Sequence, residues 1–399
     1  MDRRVEMRQL DPAVAVSGLL TRLALFLLVV MAPFLAMISR RAVAILVPIA
    51  TALLILAAAL AGKLPRAFQR VGALLVSRQA LTMMLFLSWA ALTLTWTPRP
   101  AEATQRYVEV VLIIALFAGA IACMGDRTRR SDVNLIPIGT GIAAIALAIE
   151  CMPNSPLAGL SNSQENRLET QRAATLVALL VWPAVASLSV QGRAWLGIVL
   201  AAVVFCALWL ARDLVVLAAF LGGGVAFLFG MRRPRSALVG VGGAVLAMLV
   251  CAPLVGWLLA RYGGFLLPRE GDELVGIWRD VTFSLPSRLV QGFGFDASTA
   301  LERGVGGMLL GSPRNAALQI WLELGLVGVV LAAATLVFSL AAVDRVDDRA
   351  RAAVLAVCAG AAVMMFGGPA AWQNWWLTAL GLTSITLAFL ARISSRERR

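Results

Sequence analysis

The stretch AALQIWLELGLVGVVLAAATLVFSLAA, residues 316–342, decides the fold class, because a bilayer span needs about 20 apolar residues. Its only charged residue is Glu323. Similar segments recur along the chain, which is 60% hydrophobic and 14% charged over 399 residues, too few polar residues to cover a soluble globule. The sequence therefore predicts an all-α, polytopic membrane helix bundle of about twelve transmembrane helices, at roughly 17–38, 42–61, 80–96, 107–124, 133–151, 173–191, 194–211, 214–230, 236–258, 316–342, 350–366 and 373–391.

The net charge of +13 reflects where the basic residues lie along the chain. Most of them fall in connections on the side of the N-terminus, such as GDRTRRSD at 125–132 and GMRRPRSA at 230–237. The short connections on the other side contain few. Because an excess of basic residues marks the cytoplasmic face, we expect both termini in the cytoplasm. No basic patch interleaved with aromatic residues suggests a nucleic-acid partner.

Histidine and cysteine usage limits the possible chemistry. The chain has no histidine, which removes the usual general base and the commonest metal ligand. Its five cysteines lie in or at the ends of apolar segments without CxxC spacing, which is typical of small packing residues. The sequence predicts neither a metal site nor a cofactor.

Residues 259–315 form the longest connection, and we expect it on the outer (periplasmic) side, within a single integral membrane domain over residues 1–399. A connection this long is rarely a passive turn in a compact bundle. Apolar residues at helical spacing predict a short amphipathic helix over roughly 272–283. The glycines of QGFGF, residues 291–295, break the chain after it.

Three polar residues at the start of the 316–342 segment share one helix face. Asn315, Gln319 and Glu323 follow one another at i, i+4 and i+8. Polar groups inside a span are costly, so each needs a function or a partner. The stripe either lines a pocket below the long connection or forms interhelical hydrogen bonds that only fix the packing.

A group of arginines is predicted at the outer membrane face. Arg212 stands in a tight turn between two spans and Arg172 opens another, so neither can move far from the bundle. An arginine fork binds phosphate oxygens bidentately, so fixed arginines here suit a lipid-linked diphosphate. Each arginine taken singly is equally well explained as an interface anchor. The predicted substrate-binding residues are Arg172, Arg212, Arg279, Asn315 and Gln319.

Six blocks of the sequence resemble the superfamily of O-antigen ligases and O-antigen polymerases. The most specific block is RNAALQIWLELGLVG at 314–328, which follows a glycine-rich turn. The other blocks are LTWTPRPAEATQRY at 94–107, QRAATLVALLVWPAVA at 171–186, IWRDVTF at 277–283, LVQGFGFDAS at 289–298 and AWQNWWLTALG at 371–381. The resemblance implies a multi-pass protein of the bacterial inner membrane that binds an undecaprenyl-diphosphate-linked glycan. It also implies a lipid A core or a polysaccharide as acceptor, and other polysaccharide assembly proteins as partners.

The chain departs from this superfamily at two positions. The stretch comparable to Pro313-Arg314-Asn315 usually reads Pro-His-Asn, and the histidine is held to act on the acceptor hydroxyl; Leu274 replaces an arginine that usually precedes IWR. Arg314 can neutralise charge but cannot accept a proton at neutral pH, so the base has to be a carboxylate. The predicted catalytic residues are Arg314, Asp296, Asp280 and Glu323, with Asp296 ranked first because glycines flank its loop.

The sequence thus predicts a metal-independent glycosyltransferase of the O-antigen ligase type. A polymerase of exopolysaccharide or O-antigen stays open as an alternative. So does a degenerate paralogue that binds the lipid-linked glycan without transferring it, which the missing histidine and arginine favour. A secondary transporter or flippase fits less well, because neither inverted repeats nor paired broken helices are visible in the sequence.

Overall fold

The computed structural model describes residues 12–36, 40–124, 130–152, 163–262, 281–282, 285–302, 315–368 and 370–397, and this part of the chain is helical, without strands. The helices are α1 Pro12–Phe26, α2 Ala32–Leu35, α3 Arg40–Leu60, α4 Leu64–Leu75, α5 Arg78–Thr93, α6 Pro100–Cys123, α7 Leu135–Glu150, α8 Ser163–Val190, α9 Ala194–Ala211, α10 Leu214–Arg232, α11 Pro234–Val250, α12 Ala252–Tyr262, α13 Ala297–Glu302, α14 Ala316–Val343, α15 Asp348–Gly367 and α16 Asn374–Glu397. A π-helical turn, Leu27–Met31, joins α1 to α2, and 3-10 turns lie at Arg130–Asn134 and Leu285–Arg288.

Nine helices in the described part of the chain are long and apolar enough to cross a membrane. They are Ala15–Leu35, Pro100–Cys123, Asp132–Glu150, Leu168–Val190, Ala194–Ala211, Leu214–Arg232, Ala316–Val343, Asp348–Gly367 and Asn374–Ser394. The other three predicted segments fall on the shorter helices Ile45–Leu60 and Pro234–Val250 and on α5. All the predicted segments are therefore helical, but the structure supports nine of them as spans, or ten if α4 and α5 together form one.

Helix α4 is an element that the sequence analysis did not predict. It is bent by 71° from α5, and Ser77 at the bend caps α5 by accepting a hydrogen bond from Ala80 N at 3.3 Å. The Arg70 side chain on α4 donates to Met124 O at 3.1 Å, at the C-terminal end of α6. A cation favours the free carbonyls of a helix C-terminus, so this contact fixes α4 against that end of the bundle.

The core of the bundle depends on close contact between α10 and α15. A Cβ added at Gly360 would lie 3.1 Å from Ala219 O, and one added at Gly223 would lie 3.0 Å from Ala356 O. Trp182 of α8 packs on α10 beside the same Gly223, 2.5 Å from the added Cβ, and stacks against Phe220 and Phe227 with ring centroids 5.2 and 5.6 Å apart. Small residues that allow close helix contact and aromatic packing beside them hold α8, α10 and α15 together.

Helix α14 is broken in the middle. Gly325 has φ 63° and ψ −164°, far from helical values, so the hydrogen-bond ladder is interrupted there. No paired broken helices are visible in the sequence. The structure contains this one break with non-helical dihedrals inside a described helix.

The long connection predicted at 259–315 is described only in part. Its first residues, up to Tyr262, belong to α12, and its stretch from Leu285 to Glu302 packs against α14 instead of standing free of the bundle. Of the amphipathic helix predicted at 272–283, only Val281 and Thr282 are described, and both are helical; its other residues lie outside the described ranges.

Candidate functional site

The break in α14 is filled by backbone from the long connection. Leu326 N donates to Leu289 O at 2.8 Å, Phe293 N donates to Leu322 O at 2.8 Å, and Gly294 N donates to Glu323 O at 2.9 Å. Inside a membrane, backbone groups released by a helix break need partners from the protein. The stretch 289–294 supplies them, which ties the long connection firmly to α14.

Two glycines make this close backbone contact possible. A Cβ at Gly292 would lie 2.3 Å from Glu323 O, and a Cβ at Gly325 would lie 2.5 Å from Val290 O. Both residues also have positive φ, of 71° and 63°. Only glycine meets both demands, since any side chain would collide with backbone and strain the left-handed conformation. In addition, Trp89 Nε1 donates to Leu324 O at 2.9 Å, so this carbonyl next to the break also has a hydrogen-bond partner.

Glu323 is the centre of a buried hydrogen-bond network above the break. Its Oε2 accepts from Trp372 Nε1 at 2.6 Å and from Asp296 N at 2.9 Å. Its Oε1 accepts from Ser298 Oγ at 2.6 Å, Gln319 Nε2 at 2.8 Å and Ser298 N at 3.4 Å. The side chain thereby joins α14, the loop at 296–298 and the segment before α16. A buried carboxyl group needs such partners to offset its desolvation.

The predicted polar stripe is present, and its three members have different contacts. Asn315 caps α14, because its Oδ1 accepts from Ala317 N and Leu318 N, both at 3.1 Å. Gln319 bridges Glu323 to Ala371 N, which donates to Gln319 Oε1 at 2.7 Å. Pocket lining and interhelical hydrogen bonding therefore occur together, since Gln319 also lines the cavity described next.

A cavity of ≈ 760 Å³ lies beside this network. Its walls come from α6 at Arg106, α8 at residues 168–175, the starts of α10 and α14, Asp296 with the start of α13, the end of α15 and residues 370–375. The polar lining residues are Arg106, Gln171, Arg172, Thr175, Arg212, Asp213, Asp296, Ser298, Thr299, Gln319 and Gln373, with Trp372 and Trp375 as aromatic walls. A space of this size, with an apolar wall and converging polar groups, is typical of a small-ligand site.

The two predicted arginines of the described chain both line this cavity. Arg172 pairs with Glu169 at 2.8 Å, and its guanidinium lies 5.7 Å from the ring centre of Trp375. Arg212 ends α9 in the left-handed conformation, with φ 54°, while the next residue, Asp213, caps α10 through Val215 N and Val216 N. Arg212 is exposed and makes no ion pair with another described residue.

Asp296 is the predicted carboxylate that the structure places at the cavity wall. Its φ is 59°, and Arg212 is the other non-glycine residue with positive φ in the described part of the chain. The left-handed conformation costs about 1–2 kcal/mol for a residue with a Cβ. Both strained residues therefore lie at the same cavity, and backbone strain of this kind tends to cluster at functional sites.

Other predicted site residues do not reach the cavity or lie elsewhere. Glu323 and Asn315 lie behind the wall, in the network and at the helix cap. Arg279, Asp280 and Arg314 lie outside the described residues. In the described chain, no group of three or more Cys, Asp or Glu side chains is arranged to hold a metal ion.

Sequence reasoning missed several residues of the cavity wall. Arg106 lies near the start of α6 and was not selected from the sequence as a site residue. Trp372 and Trp375 fit a membrane-interface belt in the sequence, yet one donates to Glu323 and the other packs under Arg172. Ser298 had no signal except its place in LVQGFGFDAS.

Comparison with known proteins gives a distant relationship. No protein-family model matches the chain. Over 313 residues it is 22% identical to a protein of Rickettsia felis named "Putative polysaccharide ligase", and the match covers 74% of this chain and 77% of that protein. The chain is thus distantly similar to a polysaccharide ligase-like protein.

Proposed function

We propose that the protein is a glycosyltransferase of the bacterial inner membrane that moves a glycan from an undecaprenyl diphosphate carrier to an acceptor, as an O-antigen ligase does. The observation that carries the proposal is the cavity, in which Arg106, Arg172 and Arg212 share one space with Asp296. The similarity to the Rickettsia felis protein and the six sequence blocks support the same class of reaction. The cavity would face the periplasm, where the lipid-linked glycan and its acceptor meet.

The arginines suit the diphosphate of the donor. Arg212 has no competing ion pair among the described residues, whereas Arg172 shares its charge with Glu169. Fixed guanidinium groups aimed at a leaving diphosphate stabilise the charge that develops on it as its bond to the sugar breaks. The strained turn that holds Arg212 and the ring of Trp375 under Arg172 keep both cations in place before the substrate binds.

The proposed reaction needs no group beyond the two substrates and the protein. The acceptor hydroxyl oxygen attacks the anomeric carbon of the donor sugar, and the bond from that carbon to the diphosphate oxygen breaks. The hydroxyl proton passes to the Asp296 carboxylate, and the carrier leaves as its diphosphate, held by the arginines. Asp296 is the base in this scheme because it is the predicted catalytic carboxylate that lines the cavity, whereas the carboxylate of Asp213, which also lines it, is used to cap α10.

Two related functions would use the same carrier-linked donor and differ in the acceptor or in whether transfer occurs. A polymerase would use a second carrier-linked glycan as acceptor instead of lipid A core. A degenerate paralogue would bind the carrier without transfer, and the absence of histidine from the whole chain favours it. A polymerase is recognised by the acceptor that it consumes, and a degenerate paralogue by carrier binding without turnover.

The test uses the purified full chain in proteoliposomes with an undecaprenyl-diphosphate-linked oligosaccharide and either rough lipopolysaccharide or a second carrier-linked glycan. Asp296→Asn should lower turnover by about 10²–10⁴-fold, the range for losing a general base. The control is Asp344→Asn, whose carboxylate lies beyond the far end of α14 and pairs with Arg351. Full transfer by Asp296→Asn would exclude Asp296 as the base, and carrier binding without turnover on either acceptor would establish the degenerate binder.

A further inference from the structure

We propose that Glu323 is a positioning residue, not the proton acceptor itself, and that it sets residues 294–298, the loop that leads into the start of α13 and carries Asp296 and Ser298, at the cavity wall. The proposal rests on the proposed function, because Asp296 is the base that Glu323 would position. Glu323 is completely buried, at 0% exposure, and both its oxygens are filled by donors from the protein. A side chain so placed has no access to an acceptor hydroxyl in the cavity.

The contacts of Glu323 converge on the loop from two directions. Its carboxyl group holds the backbone N of Asp296 at 2.9 Å and the hydroxyl of Ser298 at 2.6 Å. Its own carbonyl holds Gly294 N at 2.9 Å, just before the loop. Glu323 therefore holds Gly294 through its backbone, and Asp296 and Ser298 through its side chain. The left-handed Asp296 is fixed on both sides.

A second set of contacts holds Glu323 and the loop in place. Trp372 Nε1 donates to Glu323 Oε2 at 2.6 Å, and the Trp372 ring packs on Phe295 with centroids 4.8 Å apart. The backbone of Phe295 is held at both ends by α5 and the turn after it, since its N donates to Thr93 Oγ1 at 3.0 Å and its O accepts from Thr97 Oγ1 at 2.8 Å. Several independent contacts thus hold the loop in one conformation, and such support is needed to keep Asp296 in its strained left-handed conformation.

A glutamine at this position has the right size and the wrong hydrogen bonding. All five contacts of the carboxyl group are made with donors. An amide has one accepting oxygen, so its NH₂ group would face either the N–H groups of Asp296 N and Trp372 Nε1 or those of Ser298 N and Gln319 Nε2. The N–H donors left without an acceptor would displace the loop from its position, while the apolar packing around α14 would stay intact.

The experiment compares Glu323→Gln with Leu208→Ala, a buried cavity-forming change in the core between α8, α9 and α10. Both variants carry a reporter cysteine at Thr299, in a chain whose five native cysteines are replaced, and the rate of labelling by a charged maleimide is measured. We expect Glu323→Gln to change the labelling rate at position 299 several-fold and Leu208→Ala to leave it unchanged, even when both lower the melting temperature equally. An unchanged labelling rate in Glu323→Gln would overturn the proposal.

The turnover assay then separates this proposal from the proposed function. Glu323→Gln should lower turnover by up to about 10²-fold, the effect of misplacing a reacting group by about 1 Å, while binding of farnesyl diphosphate as a carrier mimic stays within about twofold of wild type. Equal losses of diphosphate binding and turnover would overturn the positioning role in favour of a general structural one. A changed labelling rate in a chain that shows no transfer at all would refute the transferase function and leave the positioning of the loop by Glu323 established.

Discussion

At the scale of the residue, Arg212 combines a functional charge with a strained backbone. Its φ of 54° would suit glycine better, and the side chain reaches the cavity. We expect Arg212→Gly to raise stability by about 1 kcal/mol, because glycine adopts this conformation without the Cβ penalty. The same change should weaken binding of farnesyl diphosphate about tenfold or more, because a hydrogen bond to a charged group contributes about 1.5–3 kcal/mol.

Thermal unfolding in detergent and diphosphate binding measure the two effects on one preparation. Arg212→Ala keeps the strain and removes the charge, so its stability should not rise, although its binding should fall equally. Arg193→Ala, in the turn between α8 and α9, is the matched control and should leave diphosphate binding unchanged. An Arg212→Gly variant that is more stable and binds as wild type would show that the arginine is only an interface anchor.

Part of the cavity lining could be selected from the sequence, at positions where chemistry restricted the candidate residue types. With histidine absent, the carboxylate Asp296 and the arginines Arg172 and Arg212 were the candidates that the structure places on one cavity wall. Arg106 and Ser298 were not predicted, because their relevance depends on which helix ends meet in space. That information lies in the packing of distant segments and not in the spacing of any one of them.

At the scale of the element, the break in α14 depends on Gly325. We expect Gly325→Ala to destabilise the protein by about 3 kcal/mol or more, because the new Cβ would meet Val290 O at 2.5 Å in a left-handed conformation. Gly243→Ala in α11 is the matched control, since a Cβ there meets no atom within 4 Å and should be neutral or stabilising by up to about 1 kcal/mol. Similar melting temperatures for the two variants would contradict the interlocked break.

The helices themselves were largely predictable, and the break was not. Hydropathy placed a helix at each predicted span because burial in lipid leaves the backbone few other conformations. A glycine among apolar residues, as in LELGLVG, looks the same in a straight helix and in a broken one. The break becomes stable only because residues 289–294 occupy it, and that backbone pairing leaves no periodic trace in either segment. Helix α4 was missed for a different reason: its arginines were assigned to topology alone.

At the scale of the whole molecule, the cavity fixes which helix ends lie together. Arg106 and Arg172 near the starts of α6 and α8, Asp213 before α10, Gln319 near the start of α14 and Gln373 before α16 all line it. The opposite end of α6 is held by Arg70 of α4 and by Arg392 of α16, which donates to Ile121 O at 2.7 Å. Helices α6 and α16 therefore run in the same direction, away from the cavity.

This arrangement leads to a prediction about both termini. Suppose that α1 and α2 together form one span, and that α3, α5 to α11 and α14 to α16 each cross the membrane once. Alternation then places the N-terminus and the C-terminus on the face opposite the cavity. The same face carries basic residues of α4 and of the connection at 230–237, so it should be cytoplasmic. We expect a reporter fused after Arg399 to be cytoplasmic, a cysteine at Arg193 to be protected from a membrane-impermeant maleimide in intact cells, and a cysteine at Arg212 to be labelled. Labelling at position 193 with protection at position 212 would show that the cavity faces the cytoplasm, which is not the side where lipid-linked glycans are transferred.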